Sequence, residues 1–399
     1  MTQESVLIAA LSGRALTSAA RRAGFVPLVV DAYGDEDTRE NAGASRHLRD
    51  VTRSGFLLKP LLAALGALES EAQQRPVGLI LGSGFEDAPK LVAALARRYP
   101  LIGNNAAAIE RTKNPASFFS RLAALGIPHP ETRFEPPPDL AGWLSKRAGG
   151  SGGNHIIPCS KLPEAHRGRY FQRHVAGHPV SVLALADKDG VHIAGISRQW
   201  CGAGGQRPYR YGGAAGPVHL DTAVELRMIG AVEAVTGALG LVGLLSFDFL
   251  LAGNEPLLLE VNPRPSATLD IFDDPAGRLL RGHVAACRGE RVALVPHAPQ
   301  PAKAAAILYA DRGPLSIDRM DWPTWTADRP APATRILSHR PVATVFASDT
   351  GATGAERKCR GRLEELAQML YGRPLGKERY NAKTDRARPE RVGTSGQAR

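Results

Sequence analysis

A chain of 399 residues exceeds what one hydrophobic core usually organises, so two or three packed subdomains are expected. The formal charge of +11 is concentrated in residues 373–399, which carry eight Lys or Arg against three Asp or Glu. The rest is only mildly basic, which argues against a nucleic-acid surface and for nucleotide phosphates and carboxylates as the relevant anions. Four scattered cysteines without a C-x-x-C pair exclude a zinc knuckle or a disulfide scaffold.

The first residues carry an acidic group where a secretory leader needs cations, and the longest apolar stretch, residues 237–253, contains Asp248 and several glycines. A cytoplasmic protein without a membrane span is expected. Residues 6–10 form an apolar run, residues 12–24 have helical spacing closed by Gly24, and residues 26–30 form a second run, a βαβ opening. A further strand over 77–81, a helix over 89–98 and a short strand over 101–103 complete the alternation of an open parallel α/β sheet, residues 1–104. The turn at Leu11, Ser12 and Gly13, with Asp31 further on, lacks the full G-x-G-x-x-G spacing of dinucleotide binding, whereas Gly82, Ser83 and Gly84 end a strand where a ligand crevice can form.

Proline clusters at 128–138 and 296–301 read as surface connections, and the segment around Lys113 heads a helix that runs to the Gly-Ile-Pro at 126–128. Next, a strand bearing Lys146 leads into Gly149, Gly150, Ser151, Gly152 and Gly153. This is a cation followed by a flexible loop whose amides can approach a polyphosphate. An extended segment with Gln172, Arg173, His174 and Val175 can offer an amide and backbone groups to adenine, with His174 read as structural, and an alternating strand over 180–186 follows. Arg198, Arg207 and Arg210, in a loop-rich stretch, are candidates for gripping a substrate carboxylate.

The strongest signal is two apolar runs around Asp248 and Glu260 joined by a turn with Gly253 and Asn254, which predicts a hairpin. Period-two alternation sets Glu260 and Asn262 on one face, with Asp248 on the neighbouring strand able to join them. Two carboxylates and an amide oxygen are a hard donor set suited to Mg2+ or Mn2+, with phosphate oxygens and water filling the other positions. Arg264 can then neutralise a transferring phosphoryl group. A carboxylate interrupting the apolar run 257–261 is costly in an ordinary core and suggests function. Beyond it, strands over 303–309 and 341–347 and a helix over 354–371 form a small α+β cap, residues 302–372, before a basic tail, residues 373–399.

In order, Lys146 with its glycine loop, Gln172 to Val175, and Glu260-Val261-Asn262-Pro263-Arg264 resemble the ATP-grasp superfamily, with residues 105–295 as the nucleotide-binding domain of two α+β subdomains. The resemblance implies ATP and Mg2+ as cofactors. Lys113 and Lys146 would bind phosphates, residues 149–153 would form the lid, and Gln172, Arg173 and Val175 would hold adenine. Asp248, Glu260 and Asn262 would bind the metal, with Arg264 and Lys146 as catalytic groups. Gln172 stands where many relatives have Glu, and Lys113 lies further from the Gly-Ile-Pro than in some. The implied reaction is ADP-forming carboxylate–amine ligation through an acyl phosphate, with a homodimer admitted. The texture of residues 171–187 and 210–217 is similar to ATP-grasp proteins of one-carbon metabolism, which implies joining glutamate to an amine in methylofuran-type cofactor synthesis. The cap is similar to that of the carboxylase branch, which implies the alternative of bicarbonate activation. A non-catalytic ATP-binding scaffold is the reading from another class.

Overall fold

The computed structural model describes residues 3–161, 168–202, 207–292 and 301–372. The basic segment 373–399 and most of the second proline cluster lie outside the described residues. Strands β1 (Ser5–Ala10), β2 (Val26–Asp31), β3 (Ala44–His47) and β4 (Leu79–Leu81) form a parallel sheet in the order β3-β2-β1-β4. Its apolar runs are buried on both faces, as a helix-covered parallel sheet requires. Leu7 and Ala9 pack with the helix Leu58–Glu71, while Val6 and Ile8 pack toward the helices Arg14–Arg22 and Arg278–Cys287. The strand expected at 101–103 is a single bridge from Leu79 to Leu101, because Gly103 at φ 151° ends the extended run.

A small antiparallel sheet follows, built of β5 (Thr132–Arg133), β6 (Trp143–Arg147), β7 (Ile157–Pro158) and β8 (Arg169–Arg173) in the order β5-β8-β6-β7. The large antiparallel sheet contains β9 (His178–Ala186), β10 (Val191–Cys201), β11 (Tyr211–Gly216), β12 (Gly243–Ala252), β13 (Glu255–Asn262) and β14 (Ala302–Tyr309). Two short strands, β15 (Leu315–Ser316) and β17 (Arg335–Ile336), pair with each other, while β16 (Thr326–Ala327) and β18 (Pro341–Asp349) join the large sheet. Its order is β13-β12-β9-β10-β11-β14-β18-β16. The strands of the expected cap therefore extend the central sheet through the β11–β14 pairing, and the helix Ala352–Tyr371 covers them. Sequence patterning finds those strands but not their partners, since pairing across about 90 residues leaves no local mark.

The two faces of the central sheet decide where the site lies. Val180, Val182, Ala184, Leu245, Phe247 and Val261 fill one face against the helices Pro115–Ala124 and Thr222–Leu239. On the opposite face Leu183, Leu185 and Leu244 meet the N-terminal sheet and the helix Arg278–Cys287. Further along that second face the side chains turn polar, at Ser181, Ser246, Asp248 and Asn262, which opens a cleft between the subdomains. His283 ties the central sheet to the N-terminal segment that ends at Ile102. Its Nδ1 accepts from the Leu244 amide at 2.9 Å and its Nε2 lies 3.1 Å from the Ile102 carbonyl. Burial pushes this imidazole down to about 4, so it is neutral and donates from Nε2. Among the described residues no helix is long and apolar enough to cross a membrane, and all four cysteines are free thiols.

Candidate active site

The β12–β13 hairpin sets the centre. Asp248 pairs directly with Glu260 and Ser246 with Asn262, so the three candidate metal ligands project from one face of two adjacent strands. A bulge between Asp248 and Phe249 shifts the register beyond the site. Phe249 and Leu251 then remain in the core while Asp248 keeps its polar side. Asp248 Oδ2 accepts from Asn262 Nδ2 at 3.1 Å, and Oδ1 accepts from Gln199 Nε2 at 3.1 Å. Burial first, and the facing Glu260 carboxylate second, hold the Asp248 carboxyl above the usual range.

Lys113 enters this face from the end of the helix Ala106–Lys113, immediately before the helix Pro115–Ala124 capped by Asn114. The segment 111–115 thus heads the helix Pro115–Ala124 as expected, while Lys113 itself closes the helix before it, because Asn114 ends one helix and caps the next. Its buried ammonium donates to Glu260 Oε1 and to Asn262 Oδ1, the latter at 2.9 Å. The protein oxygens therefore already hold a cation at this position, and two carboxylates with an amide oxygen suit a hard divalent ion. Among the described residues no group of three His, Cys, Asp or Glu side chains is placed to hold a metal ion, so this face would need the Asn262 amide oxygen as its third donor.

Lys146, on β6, is buried against Gln172 of β8, with Nζ donating to Oε1 at 2.5 Å, and Gln172 donates onward to Thr132 Oγ1 at 3.2 Å. Burial depresses the ammonium to about 8, opposed by the field of Glu260. A desolvated cation with one neutral partner retains capacity for an anion. The glycine loop follows. Gly149 has φ 67°, and a Cβ there would meet Asp87 Cβ at 2.6 Å; Gly153 has φ 73°, and a Cβ there would overlap the Tyr209 carbonyl at 1.8 Å. Only glycine fits at both positions, which brings the loop backbone against the N-terminal domain and against Tyr209. His155 beneath it is driven to about 4 by burial, with Lys146 and Arg147 adding to the depression against the pull of Glu260.

Most of these groups line one cleft of about 1440 Å³, together with residues 172–177, which lead from β8 into β9. A Cβ at Gly177 would lie 2.5 Å from the Leu251 carbonyl. Arg173 stacks over the Trp143 ring at 5.6 Å, and His174 packs edgewise on Tyr209 at 6.3 Å.

Arg264 also lines the cleft, but it is held by a residue the sequence reading did not single out. Its Nε donates to Glu86 Oε1 at 2.6 Å and its Nη2 lies 2.5 Å from the same oxygen, while Glu86 Oε2 accepts from the Gly84 and Phe85 amides at 2.6 and 2.9 Å. Burial opposes ionisation of Glu86, yet Arg264, Lys113 and backbone amides including that of Gly84 outweigh it and hold the carboxyl below its ordinary value. The only local signal was the Gly82-Ser83-Gly84 turn at the end of β4, read as a crevice without its acid. Asn104 fixes the same segment by donating to the Val242 and Pro263 carbonyls at 2.9 and 3.0 Å.

The three arginines proposed to grip substrate separate. Arg207 lines the cleft and donates to Asn154 Oδ1 at 3.2 Å. Arg198 instead bonds Thr353 and Glu356 of the last helix, at 2.9 Å each. Arg210 is buried, paired with both oxygens of Asp311 at 2.9 and 2.5 Å, and stacked 3.7 Å from the Tyr309 ring centre. Neither Arg198 nor Arg210 belongs to the cleft lining; both fasten the central sheet to the elements after it.

Residues 113–268, which span the lysines, the glycine loop and the hairpin, match the ATP-grasp domain family. That stretch is similar to an ATP-grasp domain. Its fold is the ATP-grasp fold, with the parallel α/β sheet before it and antiparallel sheets at the centre. The large chain of carbamoyl phosphate synthase from Rubrobacter xylanophilus is 24% identical over 253 residues, which is 57% of this chain and 23% of that one. The counterpart from Thermus thermophilus is 25% identical over 234 residues, 51% of this chain and 22% of that one. The matched region thus spans less than a quarter of either relative. Among solved structures, the biotin carboxylase domain dimer of 2-oxoglutarate carboxylase from Hydrogenobacter thermophilus, in complex with MgADP, ADP and bicarbonate, superposes with a TM-score of 0.69 at 14% identity. That likeness covers 93% of this chain and 94% of that one. N5-carboxyaminoimidazole ribonucleotide synthetase from Thermus thermophilus gives 0.66 at 18%, covering 90% and 98%. None of the proteins named here is an amine–glutamate ligase of one-carbon metabolism. That expectation rests on the sequence resemblance alone.

Proposed function

We propose that the chain uses Mg2+ and ATP to phosphorylate a carboxylate and passes the activated acyl group to an amine, releasing ADP and phosphate. The observation that carries this reading is the convergence, in one cleft, of the Asp248–Glu260–Asn262 oxygen face with Lys113, Lys146 and Arg264. When bound, the metal would sit on Asp248, Glu260 and Asn262 and supply charge neutralisation of the phosphates. The protein's own groups do the rest. Lys146 and the amides of residues 149–153 orient the polyphosphate, residues 172–175 hold the base, and Arg264, fixed by Glu86, meets charge that develops on the transferring group.

The comparisons support bicarbonate as the carboxylate over a larger acid, since the proteins similar in fold are carboxylases and one was solved with bicarbonate. The test is ADP release in the presence of Mg2+, with bicarbonate supplied or stripped and with carboxylic acids and amines varied. Bicarbonate-dependent ADP release supports this reading, and release that needs a larger acid replaces bicarbonate by that acid. AMP as the product, or undiminished release in Glu260→Gln, overturns the mechanism.

A further inference from the structure

The two cleft lysines are not partnered alike. Lys146 donates to a neutral oxygen, Gln172 Oε1 at 2.5 Å. Lys113 instead sits on the hairpin face itself: its side chain is 6% exposed, and its ammonium donates to Glu260 Oε1 and to Asn262 Oδ1. Those are two of the oxygens proposed above to hold Mg2+.

The rest of the face fixes this arrangement. Asn262 presents Oδ1 to Lys113 because its Nδ2 donates to Asp248 Oδ2 at 3.1 Å, and Gln199 Nε2 holds the other Asp248 oxygen at 3.1 Å. Among the described residues the Lys113 ammonium makes no other ion pair. Glu86 and Asp248 also feel its charge, but Glu86 is engaged by Arg264 and two amides, and Asp248 by the two side-chain amides.

Glu260 Oε1 and Asn262 Oδ1 cannot serve an ammonium and a divalent ion together, since like charges that close repel strongly in a partly buried site. An ion that avoided the ammonium would lose Asn262 and one oxygen of Glu260. Displacing the lysine would break a buried pair and strand its charge. A polyphosphate removes both obstacles, because it offers the ammonium another anion and the metal its remaining oxygens.

We infer that Lys113 is a built-in counter-ion that bars free divalent metal from the Asp248–Glu260–Asn262 face and yields it only together with a nucleoside polyphosphate. Metal and nucleotide then bind with positive coupling that is the same in either order. The inference rests on the proposed metal role of that face.

The test is Mn2+ binding to the full chain, with the free ion counted by electron paramagnetic resonance, in wild type, Lys113→Met and Glu260→Gln. Lys113→Met should bind Mn2+ without nucleotide at least tenfold more tightly than wild type, and Mg2+ alone should raise its melting temperature but not that of wild type. In wild type, ADP should bind at least tenfold more tightly with Mn2+ than with the metal chelated, and this factor should shrink in Lys113→Met. If Lys113→Met does not melt cooperatively, Lys113→Gln, which keeps a neutral donor for Glu260, takes its place. Equal binding of free Mn2+ by wild type and the lysine variant, lost in Glu260→Gln, overturns the counter-ion role and leaves the metal face standing. Absence of Mn2+ binding in every protein, with and without ADP, overturns the metal face itself and the inference with it.

Discussion

Glu86 offers a demanding test of how the site is built, because an isosteric change must fail there for a geometric reason. Glu86→Gln keeps the shape but leaves one acceptor oxygen where two are used, Oε1 by the Arg264 guanidinium and Oε2 by the Gly84 and Phe85 amides. Whichever way the new amide turns, its NH2 faces a donor. The Glu86 side chain is 6% exposed and that of Arg264 15%, so water compensates little. Removing one partner of a buried pair costs about 3–5 kcal/mol; the retained oxygen lowers this to about 3 kcal/mol. At about 2 °C per kcal/mol, melting should fall by about 6 °C.

The released guanidinium should also lower kcat about tenfold to a hundredfold, below the roughly 10²–10³ cost of deleting a transition-state donor, with KM for ATP little changed. The pH profile supplies the sign. Glu86 has a folded pKa below its unfolded value of 4.5, so its contribution to stability is present above that pH and is lost as pH falls through the lower folded value. The wild-type advantage over Glu86→Gln should therefore shrink in acid. Scanning calorimetry from neutral to acid pH and steady-state ADP release measure both arms. An unchanged melting temperature together with unchanged kcat would refute the pairing.

Three further outcomes follow from the same geometry. Asp248→Asn should abolish metal-dependent ADP release yet raise the melting temperature of the metal-free protein at neutral pH. It removes a buried carboxylate whose raised pKa makes its ionised form a liability; that gain should vanish as acid protonates the wild-type group. MgATP binding near pH 8–9 should take up a proton, since the phosphates restore the charge of a lysine depressed to about 8. Calorimetry in buffers of different ionisation enthalpy reads the uptake, and Lys146→Met should remove it. Arg210→Lys should destabilise by about 2–4 kcal/mol, since lysine cannot span both Asp311 oxygens while stacking on Tyr309, yet leave the KM of every substrate unchanged; a raised KM with normal melting would return Arg210 to the cleft.

What was legible in the sequence depended on whether its physical cause was local. Alternation of apolar and polar side chains is local, so the hairpin, and the common face of Asp248, Glu260 and Asn262, could be read from residues 245–264. The βαβ opening and the strands after 300 were legible for the same reason, from apolar runs and closing glycines. The partner of a guanidinium is not local. Arg198, Arg207 and Arg210 share one polar stretch, and only the fold distinguishes the one that borders the cleft from the two bound to Glu356 and Asp311. Glu86 was missed because its partner is 178 residues away.

The same distinction separates the two halves of the cleft. The half proposed to bind phosphates is assembled largely from contiguous motifs, because a polyphosphate with a metal would demand several donors at fixed spacing from strands and a glycine loop. The other half of the lining joins residues about 300 positions apart, such as Asp35, after a strand of the parallel sheet, and Arg340, before a strand of the central sheet. No periodicity links them, and substitution at either leaves the nucleotide motifs intact. Fold-level patterning therefore exposes the contiguous half of the cleft and leaves the other half to the packing of the N-terminal sheet on the last strands of the central sheet.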